Sequence, residues 1–219
     1  LLETMLWTAG RGFVLRQRHL RRLADSARFF GFALDESAIA RELAKIEAGL
    51  VSTTPPRLVR LKLARGGRVA CEVTPLDPAR MRFDDPVLAL RPIHSQNPFL
   101  YHKTTHRDTY QELLRELPDA SDAILYNERG EITESTIANL AVEMSGTLYT
   151  PPVRCGLLPG TQRAELLEQG VLKERVLTLN DLRKGENVYL MNAVRGFHCI
   201  RVRENVVPGK RPKIPQPQP

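Results

Sequence analysis

Two runs of alternating apolar and polar residues, 57–63 and 68–73, meet at the glycine pair Gly66-Gly67. A period of two is the pattern of a half-buried strand, and two glycines at the bend are typical of a β-hairpin. Two shorter strand-like runs, at residues 2–8 and 12–15, are joined by a turn at Ala9-Gly10. The N-terminal part of the chain therefore predicts several strands that can form one sheet.

Between these strands the apolar residues change to helical spacing. They recur at helical intervals from Leu20 to Phe30, and Gly31 supplies a stop. A second helix is predicted from Asp35, a suitable N-cap, as far as Leu50. Strands and helices together predict a first αβ unit.

The pattern then divides the chain. A strand at residues 87–93 closes the first unit, and Ser95-Gln96-Asn97-Pro98 is typical of a linker. We predict a small N-terminal αβ domain at residues 1–94, a linker at 95–100, a larger domain at 101–206 and a disordered proline-rich tail at 207–219.

The larger domain is predicted to mix helices and strands. A helix at residues 108–117 ends at Pro118, and strands at 122–127 and 137–144 flank the turn at 127–130. A further helix opens at Gly160-Thr161, and the final strand is predicted at 187–192.

The composition argues against several classes of protein. A chain of 219 residues with 42% hydrophobic residues can bury a core. No stretch approaches the roughly 20 apolar residues of a membrane span, and the first residues lack the features of a secretory signal, so a cytoplasmic location is expected. Three separated cysteines, Cys71, Cys155 and Cys199, fit neither a disulfide framework nor a zinc site. They are predicted to be buried thiols, and no metal site is expected.

The formal net charge of +7 raises the possibility of nucleic-acid binding. Arginines do cluster between Arg16 and Arg28, but they alternate with the apolar positions of an amphipathic helix and do not interleave with aromatic residues. A positive field serves an anionic small molecule equally well. We therefore expect a small-molecule substrate, with neither nucleic acid nor a membrane as partner.

Lys103, Glu134 and Gly160-Thr161 together match the requirements of pyridoxal phosphate. That cofactor needs a lysine for a Schiff base, an acid against its pyridine nitrogen and a cradle for its phosphate. Glu134 is predicted just beyond a turn, at the start of a strand, and Gly160-Thr161 opens a helix whose N-terminus attracts anions. Arg22 lies about 200° round its helix from Leu20, away from the apolar stripe, where it can reach an anion.

Each of these residues also has an ordinary interpretation when it is taken alone. Glu134 can be a surface glutamate, Pro159-Gly160-Thr161 a simple helix cap, and Arg22 another exposed arginine. The helix start lacks the Gly-Lys-Ser/Thr of a nucleotide loop, which argues against an ATP site.

The order and spacing of several motifs resemble the class IV aminotransferases, the pyridoxal phosphate enzymes of fold type IV. This family contains branched-chain aminotransferases, D-amino acid aminotransferases and 4-amino-4-deoxychorismate lyase. The resemblance extends from about residue 2 to residue 202. It rests on His19-Leu20-Arg21-Arg22-Leu23, Lys103, Thr133-Glu134 with Asn139-Leu140, residues 148–152, residues 158–163 and Met191-Asn192-Ala193.

The resemblance implies roles for individual residues. Lys103 would bind the cofactor covalently and move the proton, and Glu134 would pair with the pyridinium nitrogen. Arg22, Thr161 with Gly160, and Asn192 would serve the phosphate. It also implies an α/β fold of two domains with the cofactor between them, the larger one mixed and barrel-like, and a homodimer.

Thr4 favours a lyase over a transaminase within this family. It matches a strand position whose threonine is proposed to protonate the leaving group in the lyases. Leu6 stands where many relatives have an arginine for the substrate carboxylate, so Arg107 and Arg195 are candidate replacements, with a structural ion pair as the alternative for each. The segments around Lys103 and Asn192 look like lyases fused behind an aminodeoxychorismate synthase component, so a fusion or association with that partner is expected.

These observations lead to one expected activity and two alternatives. The expected activity converts 4-amino-4-deoxychorismate to 4-aminobenzoate and pyruvate, a folate-pathway step. A branched-chain or D-amino acid aminotransferase would use the same cofactor. A catalytically silent or fused regulatory module would bind an acidic partner through its basic surface.

Overall fold

The structure is a computed structural model that describes residues 1–51 and 53–203. The predicted tail at 207–219 lies outside the described residues. The chain forms two compact units, the first comprising Leu1–Met81 with His102–Thr105, and the second comprising Arg82–Tyr101 with the described residues from His106 onward. These units divide the chain differently from the predicted domains, which placed a boundary near residue 94 and a linker at 95–100.

The first unit is one antiparallel sheet with two helices. The sheet has the strand order β2-β1-β3-β4, and its hydrophobic core includes Met5, Trp7, Leu23, Leu43 and Leu61. Its elements are β1 Leu2–Thr8, β2 Gly12–Phe13, α1 Arg16–Phe30, α2 Glu36–Ala48, β3 Arg57–Leu63 and β4 Val69–Pro75.

The local signals of the first unit are confirmed. Strands β3 and β4 pair across the Gly66-Gly67 bend, as the alternation predicts. Helix α1 ends at Gly31, whose φ of 66° lies in the left-handed region that glycine adopts without strain. Asp35 caps α2, since its carboxylate accepts a hydrogen bond of 3.0 Å from the Ala38 amide.

The second unit is a mixed sheet of eight strands with three helices among the described residues. Its order is β10-β9-β8-β7-β6-β5, and β11 joins both β8 and β12. The predicted fold class, a mixed α/β fold, is confirmed. The elements are β5 Val87–Leu88, α3 Asp108–Arg115, β6 Ala123–Tyr126, β7 Ile132–Ser135, β8 Asn139–Met144, β9 Thr147–Thr150, α4 Thr161–Glu168, β10 Leu172–Glu174, α5 Leu179–Lys184, β11 Asn187–Asn192 and β12 Gly196–Ile200.

Three strand predictions in this unit are wrong, one of them because β11, expected to be the final strand, is followed by β12. The strand expected at residues 87–93 is only Val87–Leu88, and the strand expected from residue 137 begins at Asn139. A whole strand, β7, was missed before it. Residues 135–138 form a tight turn instead, because the Ser135 amide donates to the Ala138 carbonyl at 2.8 Å and the Ala138 amide donates to Ser135 Oγ at 3.1 Å. Glu134 therefore lies near the end of β7 rather than at the start of a strand.

The prediction of three buried thiols is wrong for two of the cysteines. Cys155 is buried, whereas Cys71 is half-buried on the edge strand β4 and Cys199 is exposed on β12. Strand positions that alternate between two faces bury only one of those faces, so an apolar residue type does not decide the exposure. Within the described residues, no helix combines the length and the apolar character needed to cross a membrane.

Candidate functional site

Lys103 lies in an irregular segment of the first unit that is tied to the sheet. The Leu2 amide donates to the Lys103 carbonyl at 3.0 Å, which holds the peptide along the edge of β1. Next to it, Nδ1 of His102 lies 2.9 Å from Ser26 Oγ on α1, and its ring stacks on Phe29 with centroids 4.4 Å apart. The backbone at Lys103 is thus held by its hydrogen bond to Leu2 and by the contacts of the neighbouring His102.

Thr4 lies on the same strand, two residues beyond Leu2. The burial of β1 alternates, with Glu3 buried on one face and Leu2 and Thr4 half-buried on the other. The hydrogen bond between Leu2 and Lys103 therefore brings the lysine-bearing peptide to the strand that presents the Thr4 hydroxyl. The structure thus places the Lys103 peptide against the strand that carries Thr4, with the contact at Leu2.

Glu3, His19 and Arg22 form a buried ionic cluster in the first unit. Nε of Arg22 donates to Glu3 Oε1 at 2.8 Å, and Nη2 donates to Oε2 at 2.7 Å. His19 Nδ1 lies 2.6 Å from the same Oε2. Glu3 and His19 are each 1% exposed, and Arg22 is 9% exposed. The expectation that Arg22 faces away from the core is wrong, because the Glu3 carboxylate on β1 faces inward and binds the Arg22 guanidinium there.

The charges of this cluster follow from its surroundings. Burial acts to raise the pKa of Glu3, but the charge of Arg22 and the hydrogen bonds from His19 and Arg22 lower that pKa to about 2. Burial lowers the pKa of His19 more than the bond to Glu3 raises it. We therefore assign a carboxylate at Glu3, a guanidinium at Arg22 and a neutral His19 that donates from Nδ1.

Glu134 is held rigidly in the second unit. It is 4% exposed and pairs directly with Asn139 across β7 and β8. The Tyr110 hydroxyl donates to its Oε1 at 2.9 Å, and Asn139 Nδ2 donates to its Oε2 at 3.1 Å. The interpretation of Glu134 as a surface glutamate is therefore wrong. A carboxylate oriented in this way can accept a hydrogen bond from a protonated ring nitrogen.

Tyr110 is itself held by Arg107. The guanidinium carbon of Arg107 lies 4.6 Å from the centre of the Tyr110 ring, and Nη2 donates to the Thr136 carbonyl in the turn after β7. Burial and the neighbouring Glu134 carboxylate raise the pKa of Tyr110 well above its usual value. The phenol therefore remains protonated and donates to Glu134.

Asp122 also binds the turn at residues 135–138, through Thr136. Its Oδ1 accepts hydrogen bonds from the Thr136 amide at 2.9 Å and from the Thr136 hydroxyl at 2.6 Å. Asp122 is 1% exposed, and burial raises its pKa. The turn that ends the Glu134 strand is therefore anchored by a buried carboxyl group.

The start of α4 has the properties of an anion cradle. Gly160 is its N-cap and Thr161, its first residue, is buried. The helix is anchored by Arg163, whose Nη2 donates to the Pro151 carbonyl at 2.7 Å and also contacts Glu174. A helix N-terminus with a hydroxyl beside it can receive a phosphate group.

Asn192 and Arg195 lie at the turn between β11 and β12. Asn192 Oδ1 accepts from the Val194 and Arg195 amides at 3.1 and 2.8 Å, and its Nδ2 donates to the Ile137 carbonyl at 3.3 Å. The Arg195 guanidinium lies 5.1 Å from the Phe83 ring centre and donates to the Arg82 carbonyl at 3.1 Å. Asn192 thus reaches the turn that follows Glu134, whereas Arg195 packs against its own unit.

Sequence reasoning missed Glu3, Tyr110 and Asp122 as members of these networks. A signal existed for the first two. Glu3 is a charged residue at a position whose neighbours on the same strand face, Met5 and Trp7, belong to the core. Tyr110 shares the apolar stripe of α3 with Leu113. Asp122 carries no such signal, since its partner Thr136 is known only once the strands are paired.

Comparison with known proteins gives a consistent family. The family model described as amino-transferase class IV matches residues 1–203. A provisionally named aminodeoxychorismate lyase from Schizosaccharomyces pombe is 33% identical over 204 residues, which span 89% of this chain and 86% of that protein.

Two solved structures have the same fold. A provisionally named amino-acid aminotransferase from Mesorhizobium loti is 37% identical, with a TM-score of 0.83 and coverage of 93% of this chain and 99% of that one. A provisionally named 4-amino-4-deoxychorismate lyase from Haemophilus somnus 129pt is 26% identical, with a TM-score of 0.72 and coverage of 90% and 96%.

Proposed function

Because the chain belongs to the class IV aminotransferase family, we propose that it is a pyridoxal phosphate-dependent lyase that converts 4-amino-4-deoxychorismate to 4-aminobenzoate and pyruvate. The observation that carries the proposal is the hydrogen bond of 3.0 Å between the Leu2 amide and the Lys103 carbonyl. It brings a lysine to the strand that bears Thr4, the residue that favours a lyase. Relatives named as aminodeoxychorismate lyases support the same substrate.

The residues fit the proposed cofactor by their chemistry. Pyridoxal phosphate supplies an electron sink in its protonated pyridine ring. Glu134, oriented by Tyr110 and Asn139, would accept the hydrogen bond of that ring nitrogen. The start of α4 at Gly160 and Thr161 would hold the phosphate, with Asn192 as a further ligand. The Nε and Nη2 atoms of Arg22, which the resemblance assigns to the phosphate, are instead bound to Glu3.

The reaction requires one proton to be removed and one to be delivered. The Lys103 amine would bind the cofactor in the resting enzyme and, once released, would take the proton from the ring carbon of the substrate. Thr4 would give a proton to the methylene carbon of the departing enolpyruvyl group, which leaves as pyruvate. Loss of that group makes the ring aromatic, so neither an oxidant nor a second substrate is needed.

Product analysis distinguishes this activity from the alternatives. Purified protein with pyridoxal phosphate and 4-amino-4-deoxychorismate should form 4-aminobenzoate and pyruvate in equal amounts. The relative from Mesorhizobium loti is named an aminotransferase, which favours transamination as the second candidate. In that case an amino acid would convert the cofactor to its pyridoxamine form and release a keto acid. A protein that takes up no cofactor would instead support the silent module.

We predict that Thr4→Val lowers turnover of 4-amino-4-deoxychorismate by about 10²-fold, because a general acid contributes at least that much. Cofactor uptake should be unchanged, since valine keeps the shape of threonine and the residue is half-buried on β1. Thr8→Val, at the end of the same strand and on the same face, is the matched control and should keep full turnover. Equal turnover in both variants would remove Thr4 from the mechanism.

The proposal includes a homodimer, which the resemblance to the family implies. Analytical ultracentrifugation should then give about twice the mass of 24.7 kDa expected for one chain. A species of single-chain mass with full lyase activity would contradict this part of the proposal.

A further inference from the structure

Asn139 connects two parts of the second unit. It is 5% exposed and lies directly opposite Glu134 in the pairing of β7 with β8. Its Nδ2 donates to Glu134 Oε2 at 3.1 Å and also to the Leu158 carbonyl at 2.9 Å. Both partners are acceptors, so the amide nitrogen and not the oxygen must face them. One side chain therefore binds the carboxylate of β7 and the segment that leads into α4.

Gly160 meets the other side of the same amide. A Cβ atom at this position would overlap Oδ1 of Asn139 and would lie 3.0 Å from its Cγ. The backbone angles of Gly160, φ −66° and ψ 139°, are ones that any residue adopts. Glycine is therefore needed here for the close approach of Asn139 and not for a special backbone conformation.

We propose that Asn139 is a positioning residue that couples the Glu134 carboxylate to the segment 158–160 before α4. The inference rests on the proposed function, in which Glu134 meets the ring nitrogen and the start of α4 meets the phosphate. The phosphate is attached to the same ring through one CH2–O link, so the distance between the ring nitrogen and the phosphate varies little. The Asn139 amide binds both the Glu134 carboxylate and the Leu158 carbonyl, so it sets the distance between these two protein groups. A supporting side chain of this kind decides how well a site is preorganised.

Substitution of Asn139 should disturb both partners at once. In Asn139→Asp a second carboxylate would replace the donor beside Glu134, and like charges at this range disfavour ionisation of one of them. The same change would remove the hydrogen bond to the Leu158 carbonyl. Asn139→Ala removes both hydrogen bonds without adding a charge. Gly160→Ala disturbs Asn139 from the other side, because the added methyl group must displace the side-chain amide of Asn139.

The chain offers a matched control for each change. Asn187 Nδ2 also donates to a strand carboxylate, Glu143 Oε2 at 2.8 Å, but on the exposed surface. Asn187→Asp and Asn187→Ala therefore repeat the chemistry away from the proposed site. Gly66 has nothing within 4 Å of an added Cβ atom, so Gly66→Ala is the control for Gly160→Ala.

Two measurements test the coupling. The first is the dissociation constant for pyridoxal phosphate and for pyridoxal, which lacks the phosphate, read from the visible absorption. We expect the three site variants to weaken pyridoxal phosphate binding by about 10- to 100-fold, as for a lost hydrogen bond to a charged group. Pyridoxal binding should weaken less, because it does not use the cradle. The control variants should stay within about twofold of the wild type.

The second measurement is amide hydrogen exchange of residues 158–163 in the cofactor-free protein. Exchange should be faster in Asn139→Ala and Gly160→Ala than in the wild type, because the segment has lost its link to β8. Unchanged exchange in both variants, or pyridoxal phosphate affinity within about twofold of the wild type, would overturn the inference. If the wild type takes up no pyridoxal phosphate, the proposed function fails, and the exchange comparison still decides whether Asn139 holds the segment.

Discussion

Replacement of Lys103 by alanine is expected to lower the formation of 4-aminobenzoate and pyruvate by at least about 10⁴-fold. The amine would serve both as the covalent anchor of the cofactor and as the base, and base catalysis alone contributes about 10²–10⁴-fold. The fold should survive, because the contacts that fix this segment involve the Lys103 carbonyl and the neighbouring His102 ring. Turnover with purified variant and saturating cofactor measures the effect.

A second substitution separates charge from chemistry. Lys103→Arg keeps a positive charge near His19, whose pKa responds to Lys103, but a guanidinium cannot replace the amine as nucleophile or base. It should therefore be as inactive as the alanine variant. Lys62→Ala is the matched control, since Lys62 is exposed on β3 and pairs with Leu2 on β1. Borohydride reduction should label Lys103 in the wild type, and normal pyruvate release by either Lys103 variant would contradict the mechanism.

The sequence predicted those parts of the fold that depend on local patterns of residues. The hairpin around Gly66-Gly67, the helix ended by Gly31 and the cap at Asp35 each depend on a few neighbouring residues, and all three are found. Strand β7 was missed because four residues between two turns carry no clear period. Strands β9 and β10 are also short, with four and three residues, and they pair in parallel although helix α4 separates them in the chain.

The candidate site shows the same limit at the level of side chains. Lys103 and Glu134 were predicted because their types and spacing suit one cofactor. The partners that hold Glu134 in place, Tyr110 and Asn139, come from a helix and the opposite strand. Helical periodicity placed Arg22 on the polar face of α1. It could not show that Glu3 faces inward from β1 and binds Arg22 there. A pattern along one element thus cannot show a polar group on another element, and such a group can bury a residue that the pattern assigns to the polar face.

The buried cluster of Glu3, His19 and Arg22 leads to the largest predicted effect on stability. Glu3→Ala should lower the free energy of unfolding by about 3–5 kcal/mol, because it leaves the Arg22 guanidinium buried without its carboxylate. Glu3→Gln keeps the shape and one acceptor oxygen, so its cost should be smaller, about 1.5–3 kcal/mol. Urea unfolding of the purified variants measures both values.

An exposed glutamate on the same sheet provides the control. Glu72 lies on the exposed face of β4, opposite Arg60 of β3. An exposed charge pair contributes little, so Glu72→Ala should change the free energy of unfolding by no more than about 0.5 kcal/mol. Equal losses for Glu3→Ala and Glu72→Ala would show that the buried cluster does not stabilise the first unit.

The same cluster makes the stability depend on pH in a direction that can be tested. The pKa of Glu3 is about 2 in the folded chain and 4.5 ordinarily, so its contribution is complete above pH 4.5 and is lost as the pH falls toward 2. Over that window the loss is about 3 kcal/mol, since each pKa unit corresponds to about 1.4 kcal/mol. The lowered pKa of His19 acts with the same sign below its ordinary 6.5, because protonation favours the unfolded chain. Glu3→Gln should therefore flatten the fall in stability between pH 4.5 and 2, while the fall that begins below pH 6.5 and comes from His19 remains. If the stability of the variant falls as steeply as that of the wild type below pH 4.5, other carboxylates cause the fall.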